Sequence, residues 1–273
     1  MFHTPCPPRS GRMQRSHGEA ALCLDRGRLG RLRQQGSAKA FLPAIADVPE
    51  VVFLNTSGGL TSGDTLAYRV DLAAGTRAIA TTQTAERAYR AEAGPAHVTV
   101  AHHVGAGGWI DWLPQETILF QGSDLRRETS VALEADAGCV MLEALVLGRA
   151  ARGEEVTQLR LSDRRRITRA GRPVYLEPLA LDSAGRDRSH QPALLGPARA
   201  LASLVMCAQA AQDALAAVRA RLGMAGVEGA ASGFDGKLVV RLLAGDGWPL
   251  RRQILALLDV LRRGAPPPRV WQI

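Results

Sequence analysis

A short motif that ends in glycine occurs three times in this chain and constrains its fold more than any other feature. The copies are VDLAAG, VAHHVG and LEADAG, which end at Gly75, Gly105 and Gly138, 30 and 33 residues apart. Glycine suits tight turns because it adopts positive φ without steric cost. A recurring strand–turn–strand unit predicts stacked β layers, either a β-sandwich or a β-helix-like coil. Three ordinary hairpins would give a similar pattern.

Other segments also have β patterns. Leu66, Tyr68, Val70 and Leu72 alternate with polar or small residues, as in a strand with one buried face. Residues 139–147 form an apolar run that only Glu143 interrupts, which is typical of a strand covered on both faces. We therefore expect a mainly β, stacked-strand scaffold whose β part covers about residues 19–181.

Two α-helices are predicted in the C-terminal half. The first covers 197–223, from Pro197 through apolar residues at three- and four-residue steps to Gly223. After a strand at 237–243, the second covers 249–263, with Gly264 as its cap. Residues 19–273 are then one domain, with a flexible link at 182–197 and a disordered Pro- and Arg-rich segment at 1–18.

The chain is basic, with 34 Lys and Arg residues against 26 acidic ones and a net charge of +8. A basic balance favours acidic partners. Nucleic acid is disfavoured because the arginines are spread along the chain without a nucleic-acid-binding motif.

Localisation follows from the cysteines and from the apolar runs. Four cysteines lie far apart without a CxxC pair, which favours a reducing compartment. No apolar run approaches the ~20 residues that span a bilayer, and the N-terminus lacks a secretory apolar region. We expect a cytoplasmic protein without a membrane partner.

The glycine-rich block at 57–64, SGGLTSGD, predicts a tight turn. A phosphate-binding loop would need a following Lys-Ser/Thr or a strand-to-helix transition, and neither is present. The Asp64 carboxylate is suited to accept backbone N–H bonds in such a turn. The turn is either purely structural or lines a functional pocket.

Two glutamates are candidates for chemistry. Glu116, in WLPQETILF, lies in a surface turn that opens a strand, unless a second carboxylate or a histidine makes it a general acid. Glu143, inside its apolar run, must be paired, protonated or metal-bound. A buried Glu–Arg pair, with Arg149 and Glu154 nearby in sequence, and a polar channel or metal contact remain alternatives.

No catalytic constellation is recognisable elsewhere. His102 and His103 are adjacent on a strand and face opposite sides, so they do not chelate one ion together. The block TTQTAERAYR at 81–90 carries hydroxyls but no Ser–His–Asp or Cys–His arrangement. These absences argue against a hydrolase.

Five blocks, taken in order, resemble the urease accessory protein UreD (UreH) family. They are LNTSGGLTSGD, TTQTAERAYR, WLPQETILF, LEALVLGRAARGE and PPPRVW, and the similarity runs from about Ala20 to the C-terminus. The chain departs from the family at Glu86-Arg87, where a Thr-Lys pair is usual, and at Ala88. The residues that match the family pattern are Gly58, Gly59, Gly63, Asp64, Thr82, Tyr89, Pro114, Gln115, Glu116, Gly148, Arg149 and Glu154.

The resemblance implies a non-catalytic, chaperone-like scaffold of stacked strands with two helices. Such a protein bridges apo-urease to a helical accessory protein (UreF-like) and to a nickel-carrying GTPase (UreG-like). It implies no tightly bound cofactor, only transient nickel. Because Ni²⁺ accepts carboxylate ligands and must be released again, Asp64, Glu116 and Glu143 are the candidates for an interior nickel path.

Two alternatives remain at the level of sequence. A β-sandwich hydrolase would use Glu116 and Glu143 as an acid/base pair about 5–10 Å apart. A basic RNA-binding β protein would bind nucleic acid with steep salt dependence. The long Leu/Ala helix and the Trp271 tail are candidate docking sites for the helical partner.

Overall fold

The computed structural model describes residues 15–43, 48–183 and 195–272, and most of these residues lie in two packed β-sheets. The strands are β1 His17–Asp25, β2 Arg28–Gly36, β3 Ala38–Phe41, β4 Glu50–Asn55, β5 Thr65–Leu72, β6 Arg77–Thr82, β7 Glu86–Ala88, β8 Ala96–Val104, β9 Trp109–Leu113, β10 Thr117–Leu119, β11 Ser123–Leu133, β12 Gly138–Leu147, β13 Leu159–Arg169, β14 Arg172–Asp182, β15 Ala200–Cys207, β16 Val227–Phe234 and β17 Lys237–Ala244. The α-helices are α1 Leu215–Ala220 and α2 Gly247–Leu261, and single 3₁₀ turns lie at Ala150–Arg152, Ala211–Ala214 and Arg269–Trp271.

Strand order defines the two sheets. The first sheet has the order β14-β13-β11-β8-β5-β1-β2, and the second has the order β16-β17-β15-β12-β9-β6-β4-β3. The short strand β10 joins β12 to β7. The central strands of both sheets are parallel, whereas both sheets end in antiparallel pairs.

The chain passes repeatedly from the first sheet to the second, which confirms the predicted stacked layers. Leu72, Val104 and Leu133 are aligned neighbours at the ends of β5, β8 and β11. The strands that follow, β6, β9 and β12, are again parallel neighbours. The three successive strand–turn–strand units are therefore coils of a solenoid rather than separate hairpins.

Close stacking of the turns explains the glycines between the strands. A Cβ added at Gly105 would lie 2.7 Å from the backbone nitrogen of Ala74 in the neighbouring turn. Gly75 adopts a φ of +68°, which favours glycine. Gly138 instead is the first residue of β12 and pairs with Trp109. The three glycines are therefore not at equivalent positions in their turns.

Apolar side chains fill two layers. The first layer lies between the sheets and contains Leu22, Phe53, Val70, Ile110 and Leu125, all almost fully buried. The second lies between the second sheet and α2, whose residues Ile254, Leu257 and Leu258 are buried. The second sheet is thus covered on both faces, which explains the continuous apolar run of β12.

The predicted helix at 197–223 is wrong over most of its length. Its first half forms β15, which pairs with β12 and β17, and only Leu215–Ala220 is α-helical. The segment ALASLVMC is almost entirely buried. Its apolar residues therefore satisfied the helical spacing without forming a helix, because a strand buried on both faces is apolar at every position.

The second predicted helix and the strand before it are confirmed. Helix α2 covers Gly247–Leu261 instead of 249–263, and the Asp246 side chain caps it by accepting the Trp248 N–H at 3.0 Å. Strand β17 covers Lys237–Ala244. With β15, β16 and β17, the β part extends well beyond residue 181.

The two segments predicted to be disordered or flexible lie largely outside the described residues. Strand β1 begins at His17, so the predicted disorder at 1–18 is wrong for residues 17 and 18, while residues 1–14 lie outside the described residues. Most of the predicted link at 182–197 also lies outside them. No helix in the described ranges is long and apolar enough to cross a membrane.

Candidate functional site

A ladder of buried charges crosses the space between the two sheets. The Arg127 guanidinium lies 2.8 Å from a Glu143 oxygen and donates two bonds to Asp163, at 3.1 and 2.6 Å. Arg165 donates to the same Asp163 carboxylate at 2.6 Å and to Glu177 at 2.9 Å. Acid and base alternate along this ladder, so each buried charge has an opposite neighbour, as burial requires.

The outer end of the ladder is Glu177 on β14. Its carboxylate accepts hydrogen bonds from Arg165, from the Tyr175 hydroxyl at 2.8 Å, from the Ser203 hydroxyl at 3.0 Å and from Arg241 at 2.9 Å. The Arg241 side chain is 65% exposed. Glu177 therefore joins the buried charges to the surface.

Neighbouring arginines keep two acids of the ladder, Asp163 and Glu177, ionised. Burial acts to raise the pKa of Asp163, but the guanidiniums of Arg127 and Arg165 outweigh it, and the pKa is lowered. The pKa of Glu177 is lowered in the same way: burial opposes, and Arg165, Ser203 and Tyr175 prevail. Both acids are thus anions over the physiological pH range.

Glu143 is the inner end of the ladder, and of the alternatives left open by the sequence the structure shows the buried Glu–Arg pair. It also accepts the Trp112 indole N–H at 3.0 Å and the Thr129 hydroxyl at 3.2 Å. Its partner arginine is Arg127 on the facing strand β11. Arg149 and Glu154, the neighbours in sequence, instead pair with each other at 2.7 Å.

Sequence reasoning missed Arg127, Asp163, Arg165 and Glu177, although a signal was present. Strand β13 reads LRLSDRRRITR, and its buried positions alternate with exposed ones. Asp163 and Arg165 occupy the buried register between Leu161 and Ile167. Period-2 alternation therefore places two opposite charges on the inner face of one strand.

A small cavity adjoins the inner end of the ladder. Glu143 and Arg127 line it together with Glu86, Tyr68 and Trp112, and its volume is about 60 Å³. That exceeds the roughly 10–15 Å³ that one water molecule needs. The charged groups at this end of the ladder therefore border a space large enough for water.

Glu86 brings a second carboxylate to the cavity. Burial raises its pKa, against hydrogen bonds from the Arg87 backbone N–H at 3.0 Å and from the Asn55 amide at 3.2 Å. Tyr68, beside it, also has a raised pKa because of burial and the Glu86 charge. This departure from the family pattern thus adds a carboxyl group that holds a proton more readily than an exposed glutamate does.

The Asp64 carboxylate holds its turn together, while Gly58 of the same block lines the cavity. One Asp64 oxygen accepts the Ser16 N–H at 2.7 Å and the other accepts the Thr61 N–H at 2.8 Å. Gly63, just before it, has a φ of +74°. Asp64 therefore closes the turn that leads into β5, as the sequence predicted, and it does not line the cavity.

The glycines of the same block pack against Tyr89. A Cβ added at Gly59 would lie 2.4 Å from the Tyr89 ring. The backbone N–H of Tyr89 donates to the carbonyl of Leu60 at 2.8 Å, and its ring contacts the Phe120 ring edge-on with centroids 5.1 Å apart. Gly58 has a φ of +78° in the same loop.

Gly148, Arg149 and Glu154 lie close to Phe120, the residue that the Tyr89 ring contacts. The Arg149 guanidinium lies over the Phe120 ring, 4.7 Å from its centroid. Glu154 also accepts the Gln121 N–H at 3.2 Å, while Gly148, with a φ of +71°, donates to the Leu119 carbonyl at 2.8 Å. Residues from three separate blocks therefore meet around one phenylalanine.

The remaining family positions hold the C-terminal segment. Gln115 accepts from Arg251 at 2.6 Å and donates its amide to the Val270 carbonyl at 2.9 Å, while its backbone N–H donates to Thr82 at 2.9 Å. Pro114 precedes it and lines the cavity. Trp271 is only 3% exposed. Its side chain is therefore packed in the interior and is not a free docking anchor.

Glu116 lies apart from Glu143. Its carboxylate is 3.7 Å from Arg251 and one-third exposed, and it does not line the cavity. Glu143 is ion-paired with Arg127. The two glutamates therefore do not form the acid/base pair of a hydrolase. Of Asp64, Glu116 and Glu143, only Glu143 lines the cavity, and a role in metal transfer remains a prediction for all three.

Histidines and cysteines form no metal centre in the described parts of the chain, where no group of three or more His, Cys, Asp or Glu residues is placed to hold an ion. His102 is buried and accepts the Val70 N–H at 3.1 Å, while His103 lies 3.5 Å from Glu134 at the surface. Cys139 and Cys207 lie opposite each other on the neighbouring strands β12 and β15, and both are free thiols.

Comparison with known proteins identifies the family. The UreD urease accessory protein family model matches residues 16–272. The chain is 58% identical over 271 residues to a urease accessory protein UreD of Cereibacter sphaeroides (strain ATCC 17025), with 97% of this chain and 98% of the relative covered. It is 55% identical over 263 residues to that of Paracoccus denitrificans, with 96% and 94% covered. It is 43% identical over 260 residues to that of Rhizobium leguminosarum bv. viciae, with 95% and 94% covered. The chain belongs to the UreD family of urease accessory proteins.

Proposed function

We propose that this chain is a urease maturation factor: a non-catalytic, cytoplasmic scaffold that bridges apo-urease to a helical accessory protein and a nickel-carrying GTPase. Family membership supports the link to urease. The observation that carries the proposal is the buried charge ladder, which runs from the cavity at Glu143 to Glu177 near the surface.

Nickel is the cargo in this proposal, and Glu143 is the residue that meets it. Carboxylate and water are ligands that Ni²⁺ accepts and releases. When Glu143 turns to a cation in the cavity, Arg127 keeps its two bonds to Asp163. The arginine therefore does not become an unpaired buried charge, and the cost of freeing Glu143 stays small.

Glu86 adjusts the charge of the same cavity. Its raised pKa favours the neutral acid, and a nearby cation favours the carboxylate. Entry of nickel would then hold Glu86 in its carboxylate form and place a second anionic oxygen beside the ion. Binding at two carboxylates with water is weak enough for transfer rather than storage.

Nickel loading of apo-urease tests this function. Purified apo-urease is mixed with the helical accessory protein, the nickel-loaded GTPase and this chain, and urease-bound nickel is measured by mass spectrometry. We expect loading to depend on this chain, and Glu143→Gln to reduce it while thermal unfolding stays close to that of the unaltered chain. Glu134→Gln, at the surface beside His103, is the matched control.

Two results would contradict the proposal at different levels. Equal nickel content with and without the unaltered chain would refute the maturation function. Full loading with Glu143→Gln in a folded, complex-forming chain would remove Glu143 from the nickel path but leave the scaffold function standing. The same assay with Asp64→Asn and Glu116→Gln tests the two remaining predicted path residues.

A further inference from the structure

Strand β2 is unusual because all nine of its residues are exposed. Among the residues that the structure describes, it is the last strand of the first sheet and pairs only with β1. One edge of β2 therefore presents unpaired backbone N–H and C=O groups. An exposed edge of this length is able to pair with another extended chain.

The inward face of β2 carries two uncovered leucines. Leu29 and Leu32 pair with Leu24 and Leu22 of β1 and face the same side of the sheet. Leu22 and Leu24 are each 1% exposed, whereas Leu29 is 45% and Leu32 38% exposed. The second sheet ends at the four-residue strand β3 and leaves these two leucines uncovered.

Positive charge surrounds this apolar edge. Arg26 precedes the strand, and Arg28, Arg31 and Arg33 lie on it. Arg33 is 3.3 Å from Glu19, but its side chain is still 63% exposed. Within the described residues, Arg26 and Arg28 form no ion pair. Four arginines on one edge disfavour pairing with a second copy of the same edge and favour an acidic partner.

We propose that β2 is a docking edge for an extended, acidic segment of a partner protein in the urease assembly complex. The segment adds a strand to the first sheet through backbone hydrogen bonds and covers Leu29 and Leu32, and its carboxylates pair with the arginines. This inference rests on the proposed scaffold function, since it names the surface through which one assembly partner binds.

Hydrogen exchange locates the contact. Apo-urease and the helical accessory protein are added separately to the full chain, and amide exchange is followed by mass spectrometry. We expect one of the two proteins to slow exchange in residues 28–36 by at least about tenfold. Strand β14, the opposite edge of the same sheet, is expected to keep its exchange rate.

Substitutions test the same surface. Leu29→Glu with Leu32→Glu places like charges against the acidic segment, and we expect Kd for the protecting partner to rise by about tenfold or more. Arg28→Glu with Arg31→Glu should act similarly and weaken the dependence of binding on salt. Leu176→Glu with Arg172→Glu, exposed on β14, is the matched control and should change Kd less than about twofold.

Three results would overturn the inference. They are partner binding without protection of residues 28–36, unchanged affinity of the β2 variants, and protection of β2 by a second copy or by a mixed-sequence RNA instead of a partner protein. If the unaltered chain binds neither apo-urease nor the helical protein, the proposed function itself fails. The two failures are therefore distinguishable.

Discussion

The indole N–H of Trp271 donates a hydrogen bond to the backbone carbonyl of Leu113 across 3.0 Å. This bond ties the C-terminal segment to the end of β9, 158 residues earlier in the chain. Arg251 of α2 covers the Trp271 ring at 4.5 Å and donates to its carbonyl at 3.0 Å. One tryptophan thus fastens the last described residues and α2 to the second sheet.

Trp271→Ala is expected to lower the free energy of unfolding by about 3–5 kcal/mol, because it removes a buried aromatic side chain. Trp248→Ala is the control, since Trp248 is 66% exposed, and should change stability by less than about 0.5 kcal/mol. Urea unfolding followed by circular dichroism measures both. Similar losses for the two variants would show that the tail is not fastened as described.

Arg127→Met is expected to cost about 3–5 kcal/mol, because it leaves Glu143 buried without a counter-ion, while Asp163 keeps only Arg165. Arg160→Met removes an ion pair whose arginine is 70% exposed and should cost no more than about 1 kcal/mol. Chemical unfolding at neutral pH compares the two. A loss below 1 kcal/mol for Arg127→Met would mean that the ladder does not depend on this arginine.

Gly59→Ala is expected to destabilise more than Gly58→Ala. Both positions have positive φ, which costs a non-glycine residue about 1–2 kcal/mol. At Gly59 the added methyl group would also meet the Tyr89 ring at 2.4 Å, whereas at Gly58 no atom lies within 4 Å. The overlap adds about 1–3 kcal/mol. Melting temperatures in the reverse order would contradict the packing described for this loop.

The buried side chain of His102 is expected to make the free energy of unfolding depend on pH. Burial lowers its pKa to about 3, against the Asp71 charge, which raises it. The unfolded side chain has a pKa near ~6.5, so between these values the unfolded state binds more protons than the folded state. Stability therefore falls as the pH drops from about 6.5 towards 3, by about 2 kcal/mol at pH 5 from this residue alone.

His102→Gln checks this dependence because it keeps an acceptor for the Val70 N–H but does not titrate. The difference in unfolding free energy between pH 7 and pH 5 should shrink by about 2 kcal/mol in the variant. His103→Gln, at the surface beside Glu134, should leave that difference nearly unchanged. An equal slope for the unaltered chain and His102→Gln would rule out the buried neutral imidazole.

Much of the β architecture could be predicted from local patterns. Alternation identified β5, and the repeated strand–turn motif indicated stacking, because each coil must bury one face against its neighbour. The segment at 200–207 shows the limit of this approach. Its residues are apolar at nearly every position, so helical and strand spacing fit equally well, and only pairing between β12 and β17 decides for a strand.

The candidate site shows a similar limit. The apolar run around Glu143 required that its charge be compensated, and the structure confirms a glutamate–arginine pair. Proximity in sequence pointed to Arg149, but Arg127 is the partner, because β11 and β12 face each other across the interior. Asp64, by contrast, lies in a turn as the local pattern predicted, because one of its carboxylate oxygens accepts the Thr61 N–H of its own loop, although the other accepts the distant Ser16 N–H.

The sequence by itself determined which apolar strand residues alternate towards a core, which turns need glycine and that a charge on β12 must be compensated, because these depend on short-range geometry and on the cost of desolvation. Only the tertiary structure decided which charges pair, that Trp271 is enclosed and that β2 is left open. Those outcomes depend on which strands the solenoid brings face to face, and on where the second sheet ends.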